Sequence, residues 1–355
     1  MAFDYVHIAR HPDTAQRDRR AARVLRAREE QKQKYASLKH VFFAACVLLM
    51  SFSLAIYILL RQSQWNGSSQ RSFLIVQGKV GNTIRSLTVV TVRGKEKSVV
   101  ILAIPDSMMI ETLYNYGPYK ASSLVGLSKL EKQPYTFLTR TLSFQLGIDV
   151  RDVIVVNAVV LGSPQSLRSL LVQTLFLRTE SSLSYIDRYR LWAFLGTLRK
   201  DQVSTVDLLS SNVLKKSDSS ISGEVVFHPD IVKFDTLVSQ VFANTELQKE
   251  GTTVAVVNTT SESRLATRVA RALGNMGVDV VNIAQQPSAL DESKLYVRDK
   301  QARHSLVEDT VATLFQLSEK HIEISQQKTL EYRADVVVLL GKDAAYLFTR
   351  VLLPE

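Results

Sequence analysis

The sequence predicts an α/β protein in which a basic arm and one transmembrane helix precede two exported α/β domains. Three observations predict it. Residues 41–60 (VFFAACVLLMSFSLAIYILL) hold no charge, Gly or Pro. Residues 1–40 carry ten Lys/Arg against five Asp/Glu, a net +5. From residue 73 onward, β-branched runs alternate with amphipathic stretches, the pattern of layered α/β domains. The expected divisions are an arm at 1–40, a span at 41–60, a polar linker at 61–72, a first domain at 73–233, a connector at 234–251 and a second domain at 252–350.

A helix over 41–60 rises about 1.5 Å per residue and crosses a hydrocarbon core of roughly 30 Å. The basic arm places the N-terminus in the cytoplasm and the remainder outside, with Trp65 as an anchor at the outer interface. Two rival readings are a cleaved signal peptide and a buried globular helix. Signal h-regions are shorter and end in a small-residue cleavage site, which is missing here. A buried helix does not call for a basic flank. The arm reads as a topology determinant that touches anionic headgroups, or as a docking helix for a cytoplasmic partner.

In the first domain, an apolar run at 73–76 is followed by strands at 86–92 and 98–105, joined by Arg93-Gly94-Lys95-Glu96 as a hairpin. A loop with Gly117, Pro118 and Gly126 comes next. Residues 134–146 read as a helix, opened by Pro134 and closed by Gly147, with Phe137, Leu138 and Leu142 on one face. A strand follows at 150–160, then helices at 166–177 and 189–198, a polar break at 218–223 and a short strand at 224–227. Residues 234–250 form a helix or connector.

The second domain begins with a strand at 253–258. Thr260 or Ser261 is placed to cap a helix with Leu265, Val269 and Leu273 on its apolar face. Gly274 or Gly277 ends that helix, and a strand at 278–284 completes a β-α-β unit. A strand at 294–298, a helix at 305–317 and strands at 321–324 and 334–340 fill out the sheet.

Composition narrows the chemistry. The net charge of +10 leaves +5 spread over residues 61–355, too dilute for a nucleic-acid footprint. The one cysteine, Cys46, lies in the span, so the exported part has no disulfide or thiol chemistry. His228, His304 and His321 show no metal-ligand spacing, and there is no nucleophile elbow or P-loop. Asp106 and Glu111 flank the hairpin exit, either as an acidic pair or as solvated loop charges. Arg264, Arg268 and Arg271 are spaced i, i+4, i+7, which makes a basic stripe on one helix. That stripe is either a solvated face or a contact for anionic wall polymer.

Several segments carry a family resemblance. Val254-Ala255-Val256-Val257-Asn258, then Leu265-Ala266, Ala270, Leu273 and Gly277, then residues 334–343 (ADVVVLLGKD), resemble the LytR C-terminal domain of bacterial envelope proteins. Thr259 follows Asn258 where that family often has Gly. The order of arm, span, α/β domain and this module is similar to the layout of LytR–CpsA–Psr proteins, which transfer lipid-pyrophosphate-linked glycopolymers onto peptidoglycan.

The resemblance implies catalytic residues that the sequence lacks. Leu87, in Arg85-Ser86-Leu87-Thr88, stands where the family has a metal-holding Asp. Asp106, in Ile104-Pro105-Asp106-Ser107, stands where an Arg grips the pyrophosphate. Lys120-Ala121-Ser122 matches a Lys-x-Asn motif in part, and Asp187-Arg188-Tyr189-Arg190 keeps a later motif's composition but not its spacing. Leu offers no oxygen to Mg²⁺, and Asp repels a group that needs charge-assisted donors.

The implied protein is a membrane-anchored, non-catalytic pseudoenzyme of the cell envelope without a cofactor. Arg85, Lys120, Arg188 and Arg190 would form a basic pocket for phosphate or acidic glycan. The alternative is a divergent phosphotransferase using Mg²⁺. The expected partners are membrane lipid and wall glycopolymer, polyprenyl phosphate or another envelope protein, with no nucleic acid.

Overall fold

The computed structural model describes residues 42–43, 45–54, 57, 65–78, 85–157, 161–176, 180–218, 224–286 and 288–348. The chain divides into two compact units, Met1–Ser63 and Gln64–Glu355. In the first unit, the described positions 42–43, 45–54 and 57 are helical (α1), and Phe42, Leu48, Met50 and Phe52 are exposed. They fall within the expected span at 41–60, whose other positions, like the arm at 1–40, lie outside the described residues. Among the described residues, no helix is long and apolar enough to cross a membrane.

The second unit begins with a five-stranded sheet in the order β6-β1-β2-β3-β7. β1 (Gln70–Gly78), β2 (Arg85–Arg93) and β3 (Ser98–Ile104) form an antiparallel meander, with Val76 opposite Leu87 and Val90 opposite Ile101. β6 (Val150–Asn157) and β7 (Val203–Asp207) add in parallel at the two edges. Helices cover both faces. Leu74, Val76, Leu87 and Val89 pack toward α2 (Ala121–Ser128) and α3 (Pro134–Leu146). Phe73, Ile75, Val90 and Val92 pack toward α4 (Pro164–Phe176) and α5 (Tyr185–Leu195). A strand buried on both faces reads as an unbroken apolar run, which is why 73–76 shows no alternation. Each such side chain contributes about 1.5–3 kcal/mol by leaving water.

Several first-half elements differ from expectation. The expected loop around Gly117 and Gly126 holds β4 (Met109–Glu111), β5 (Pro118–Lys120) and α2. α5 starts at Tyr185 rather than 189, because Ser184 Oγ accepts from Asp187 N at 3.1 Å and caps it. β8 (Leu214–Asp218) pairs with β9 (Val225–Pro229). The stretch expected as one connector is two helices, α6 (Ile231–Phe242) and α7 (Thr245–Glu250). They break at Asn244, whose side chain caps the second by accepting from Glu246 N at 3.0 Å. Trp65, expected at a membrane interface, is 1% exposed. Its Nε1 donates to Ser69 O at 2.8 Å and its ring meets Phe194 edge-on.

The second sheet runs β11-β10-β14-β12-β13. β10 (Thr253–Asn258) lies parallel to both β11 (Asp279–Gln285) and β14 (Val336–Leu340). β12 (Lys294–Val297) is antiparallel to β14 and parallel to β13 (Ile322–Ile324). α8 (Leu265–Met276) and α9 (Leu306–Phe315) bury one face. Tyr332 of α10 (Gln326–Tyr332) packs with Ala255, Val257 and Val337 on the other. α8 begins later than expected: Arg264 stands at its N-cap, and Thr260 donates to Asn258 Oδ1 at 2.8 Å instead of capping. Gly277, at φ 105°, ends it in the left-handed region that glycine adopts without strain.

The two sheets share one apolar core that runs from Leu74 and Val89 through Leu142 and Leu273 to Val256 and Val338. α3 and α8 meet at a position that only glycine fits. Gly147 ends α3 at φ 68°, and a Cβ there would lie 2.3 Å from Asn275 Cβ. Around that contact, Arg140 Nε donates to Leu314 O at 3.2 Å, Arg151 Nη1 pairs with Asp309 at 2.9 Å, and the Phe144 ring meets Phe315 and Phe348 edge-on.

Candidate functional site

Beside this junction lies a cavity of about 410 Å³, within the size range of small-ligand pockets. Its walls come from the turn 111–118, the end of α3 (Phe144, Gln145), the loop after β10 (Glu262), α8 (Arg268, Arg271) and Phe348 of α11 (Lys342–Phe348).

The walls are held from behind. Thr112 N and Oγ1 both donate to Gly117 O, at 3.2 and 2.8 Å, closing the turn. Tyr114, at φ 59°, stacks on Phe137 and leans on Tyr346, pinning the turn to α3 and α11. Burial raises the Tyr114 phenol above its usual range. In the β10 loop, Asn258 is 1% exposed and saturated. Its Nδ2 donates to Glu262 O (2.7 Å) and Gln285 Oε1 (3.1 Å), and its Oδ1 accepts from Thr260 N (2.9 Å). Thr259 earns its place over Gly by donating to Leu340 O at 2.8 Å while accepting from Leu290 N.

The charges around the cavity are of two kinds. Arg271 is committed: its Nε and Nη2 form a bidentate pair with Asp235 at 2.8 and 2.6 Å, and Asn275 donates to the same carboxylate. Arg268 is exposed, with its guanidinium 5.9 Å from the Phe348 ring centroid. Among the described residues, no carboxylate or carbonyl accepts from it. Glu111 and Glu262 line the same cavity, and neither carboxylate has a cationic partner within 4.0 Å among the described residues.

The expected three-arginine stripe therefore separates into three roles. Arg264 is an exposed N-cap residue at φ 61°, outside the helix proper and outside the cavity lining. Arg271 is a structural clamp, and Arg268 faces the cavity free. Spacing along α8 marked Arg268 and Arg271, and Glu111 stood out only beside Asp106 at the hairpin exit, whereas Glu262 and Asp235 gave no sequence signal because they come from distant segments.

The pocket expected from Arg85, Lys120, Arg188 and Arg190 is not assembled by the described atoms. Arg188 is buried and donates to Leu183 O (3.0 Å) and Thr174 O (2.7 Å), with its guanidinium 4.6 Å from the Tyr185 ring centroid. Arg190 donates to Trp65 O at 2.6 Å. Both belong to α5, on one face of the first sheet. Lys120 precedes α2 on the other face and pairs with Glu224. Arg85 heads β2, and its side chain lies outside the described residues. His321 Nε2 lies 3.0 Å from Glu292 Oε2, and His228 and His304 are exposed.

The positions that the resemblance assigns to metal and pyrophosphate do not fit those groups. Leu87 is 1% exposed and packed in the apolar core. Asp106 is half-buried, and that burial raises its carboxyl above the usual range. Among the described residues, no group of three or more His, Cys, Asp and Glu is placed to hold a metal ion.

A second charged cluster lies at the base of the first sheet. Arg71 donates to Asp152 Oδ2 through Nε (2.8 Å) and Nη2 (2.6 Å), and to Asp187 Oδ2 through Nη1 (3.4 Å). Trp65 N donates to Asp187 Oδ1 at 3.1 Å, and Ser182 Oγ to Asp152 Oδ1 at 3.2 Å. All three charged residues are under 7% exposed. Burial, reinforced by the Asp187 charge, raises the Asp152 carboxyl despite the Arg71 pair.

Residues 251–343 match the family profile described as LytR cell envelope-related transcriptional attenuator. Among solved structures, the chain is similar to B. subtilis TagT at 14% identity and TM-score 0.36, over 49% of this chain and 89% of that one. It is similar to B. subtilis TagV at 11% identity and TM-score 0.37, over 48% and 94%. A third, the LytR-CPS2A-psr family protein YwtF (TagT) with bound octaprenyl pyrophosphate lipid, is similar at 15% identity and TM-score 0.35, over 48% and 88%. A comparison with curated proteins finds no match. The β-α-β unit that supplies Arg268 and Glu262 to the cavity thus lies in the matched segment, and the chain carries a LytR C-terminal domain at 251–343.

Proposed function

We propose that this is a membrane-anchored protein of the bacterial cell envelope that binds an anionic wall glycopolymer in the cleft between its two sheets and does not catalyse transfer of that polymer. The observation that carries the reading is the Arg268 guanidinium, without an acceptor among the described residues, in a cavity of about 410 Å³. An exposed guanidinium over an aromatic ring keeps its N–H edge free for bidentate contact with phosphate or carboxylate. The LytR C-terminal domain supports the envelope setting. The uncharged run at 41–60 and the basic arm support an anchor with the cytoplasm on the N-terminal side. Tethering raises effective concentration, so modest affinity suffices. Leu87 in the apolar core and Asp106 at the hairpin exit support binding without transfer, since neither serves Mg²⁺ or pyrophosphate.

The test uses full-length protein in detergent micelles and a phosphate-containing wall polymer. Wild type binds, binding weakens with added salt, and Arg268→Gln binds about tenfold more weakly, roughly 1.4 kcal/mol. Equal binding by the variant contradicts the site. Transfer of a lipid-pyrophosphate-linked glycan by the wild type with added Mg²⁺ contradicts the non-catalytic reading.

A further inference from the structure

We propose that the cleft selects a zwitterionic ligand, one that joins an anionic phosphate or carboxylate for Arg268 to an ammonium for Glu111 and Glu262. This deepens the polymer-binding reading and rests on it.

Among the described residues, three charges of both signs line one cavity without an ion-pair partner. The Arg268 guanidinium lies 5.9 Å from the Phe348 ring centroid with no acceptor for its donors among the described residues, and Glu111 and Glu262 have no cation within 4.0 Å among them. Both acids are held in place by their backbones. Glu111 ends β4, paired across the ladder with Pro118, and the Thr112–Gly117 bonds follow directly. Glu262 is gripped through its carbonyl by Asn258 and through its N–H by Thr260 Oγ1. The remaining cation on the lining, Arg271, is already neutralised by Asp235.

A ligand carrying negative charge alone would satisfy Arg268 and meet two carboxylates in the same space. Coulomb repulsion then works against the contact it gains. A ligand that also carries an ammonium turns both carboxylates into acceptors and discriminates against the purely anionic competitor. A ligand carrying positive charge alone leaves Arg268 opposed in the same way. The cavity, at about 410 Å³, has room for such a pair of groups and the few atoms that link them.

The experiment titrates full-length protein in micelles with phosphoethanolamine, β-alanine, glycerol 1-phosphate and ethanolamine, read by ligand-observed NMR. Phosphoethanolamine or β-alanine is expected to bind at least about tenfold more tightly than either single-charge probe. Whichever of the two binds more tightly identifies the anion as phosphate or carboxylate. The E111Q/E262Q variant is expected to lose that preference, and Arg268→Gln to weaken every anionic probe, both with unchanged melting temperature. Equal affinity of wild type for phosphoethanolamine and glycerol 1-phosphate overturns the proposal, as does a preference that survives E111Q/E262Q. In either case, polymer binding that still depends on Arg268 leaves the anionic-polymer reading standing. Polymer binding indifferent to Arg268→Gln removes both.

Discussion

Arg71 and Arg268 show two fates for the same side chain. Arg71 sits at the base of the first sheet with two carboxylates, Asp152 and Asp187, and water excluded. Arg268 sits on α8 at the edge of a cavity, with a ring beside it and no acceptor among the described residues. A buried guanidinium with its donors met is part of the structure, whereas one left unmet beside a cavity is available to a ligand. The same contrast divides the residues that sequence alone marked. Arg188 and Arg190 spend their donors on carbonyls of Thr174, Leu183 and Trp65.

Arg71→Met strands two buried carboxylates, so unfolding by urea should show a loss of about 3–5 kcal/mol. A loss under about 1 kcal/mol would mean the cluster is wetter and looser than its geometry. Gly147→Val places a side chain against Asn275 in a left-handed conformation, with an expected cost of about 3 kcal/mol and weakened polymer binding, since the cleft is built on that junction. Full stability in this variant would separate the cleft from the helix contact behind it.

A smaller effect is set by pH. The folded-state pKa of Asp152 lies above its ordinary value of 3.8, so the folded protein holds that proton longer than the unfolded chain. Asp152 therefore contributes a fall in stability as pH rises from about 4 through the raised value, which levels off once both states are ionised. Glu308, raised by burial, adds to the same slope. Denaturant midpoints of wild type and Asp152→Asn between about pH 4 and pH 7 check this: the stability of wild type minus that of the variant should fall as pH rises. A difference that rises with pH would mean the Arg71 pair outweighs burial.

Elements whose signals are local were legible in the sequence. Pro134 and Gly147 mark both ends of α3, and the β-branched runs mark β2, β3, β10 and β14. Elements that are very short or defined by partners elsewhere were not. β4 and β5 are three residues each and pair across a turn in which Tyr114, which looks like no turn former, is left-handed as well as Gly117. The start of α5 was hidden because Asp187 and Arg188 read as remnants of a binding motif, yet both are buried by partners on other segments. At the cleft, helical spacing pointed to Arg268 but also to Arg264 and Arg271. Only the fold shows that Asp235 occupies Arg271 and that α8 begins after Arg264.

The most direct test of the account compares wild type with Arg268→Gln in the same micelles, measuring urea unfolding and affinity for a phosphate-containing wall polymer side by side. Stability should agree within about 0.5 kcal/mol, because the side chain is exposed and unpaired, while affinity falls about tenfold. Unchanged affinity, or a loss of stability matching that of Arg71→Met, would contradict the claim that Arg268 is held free for a ligand.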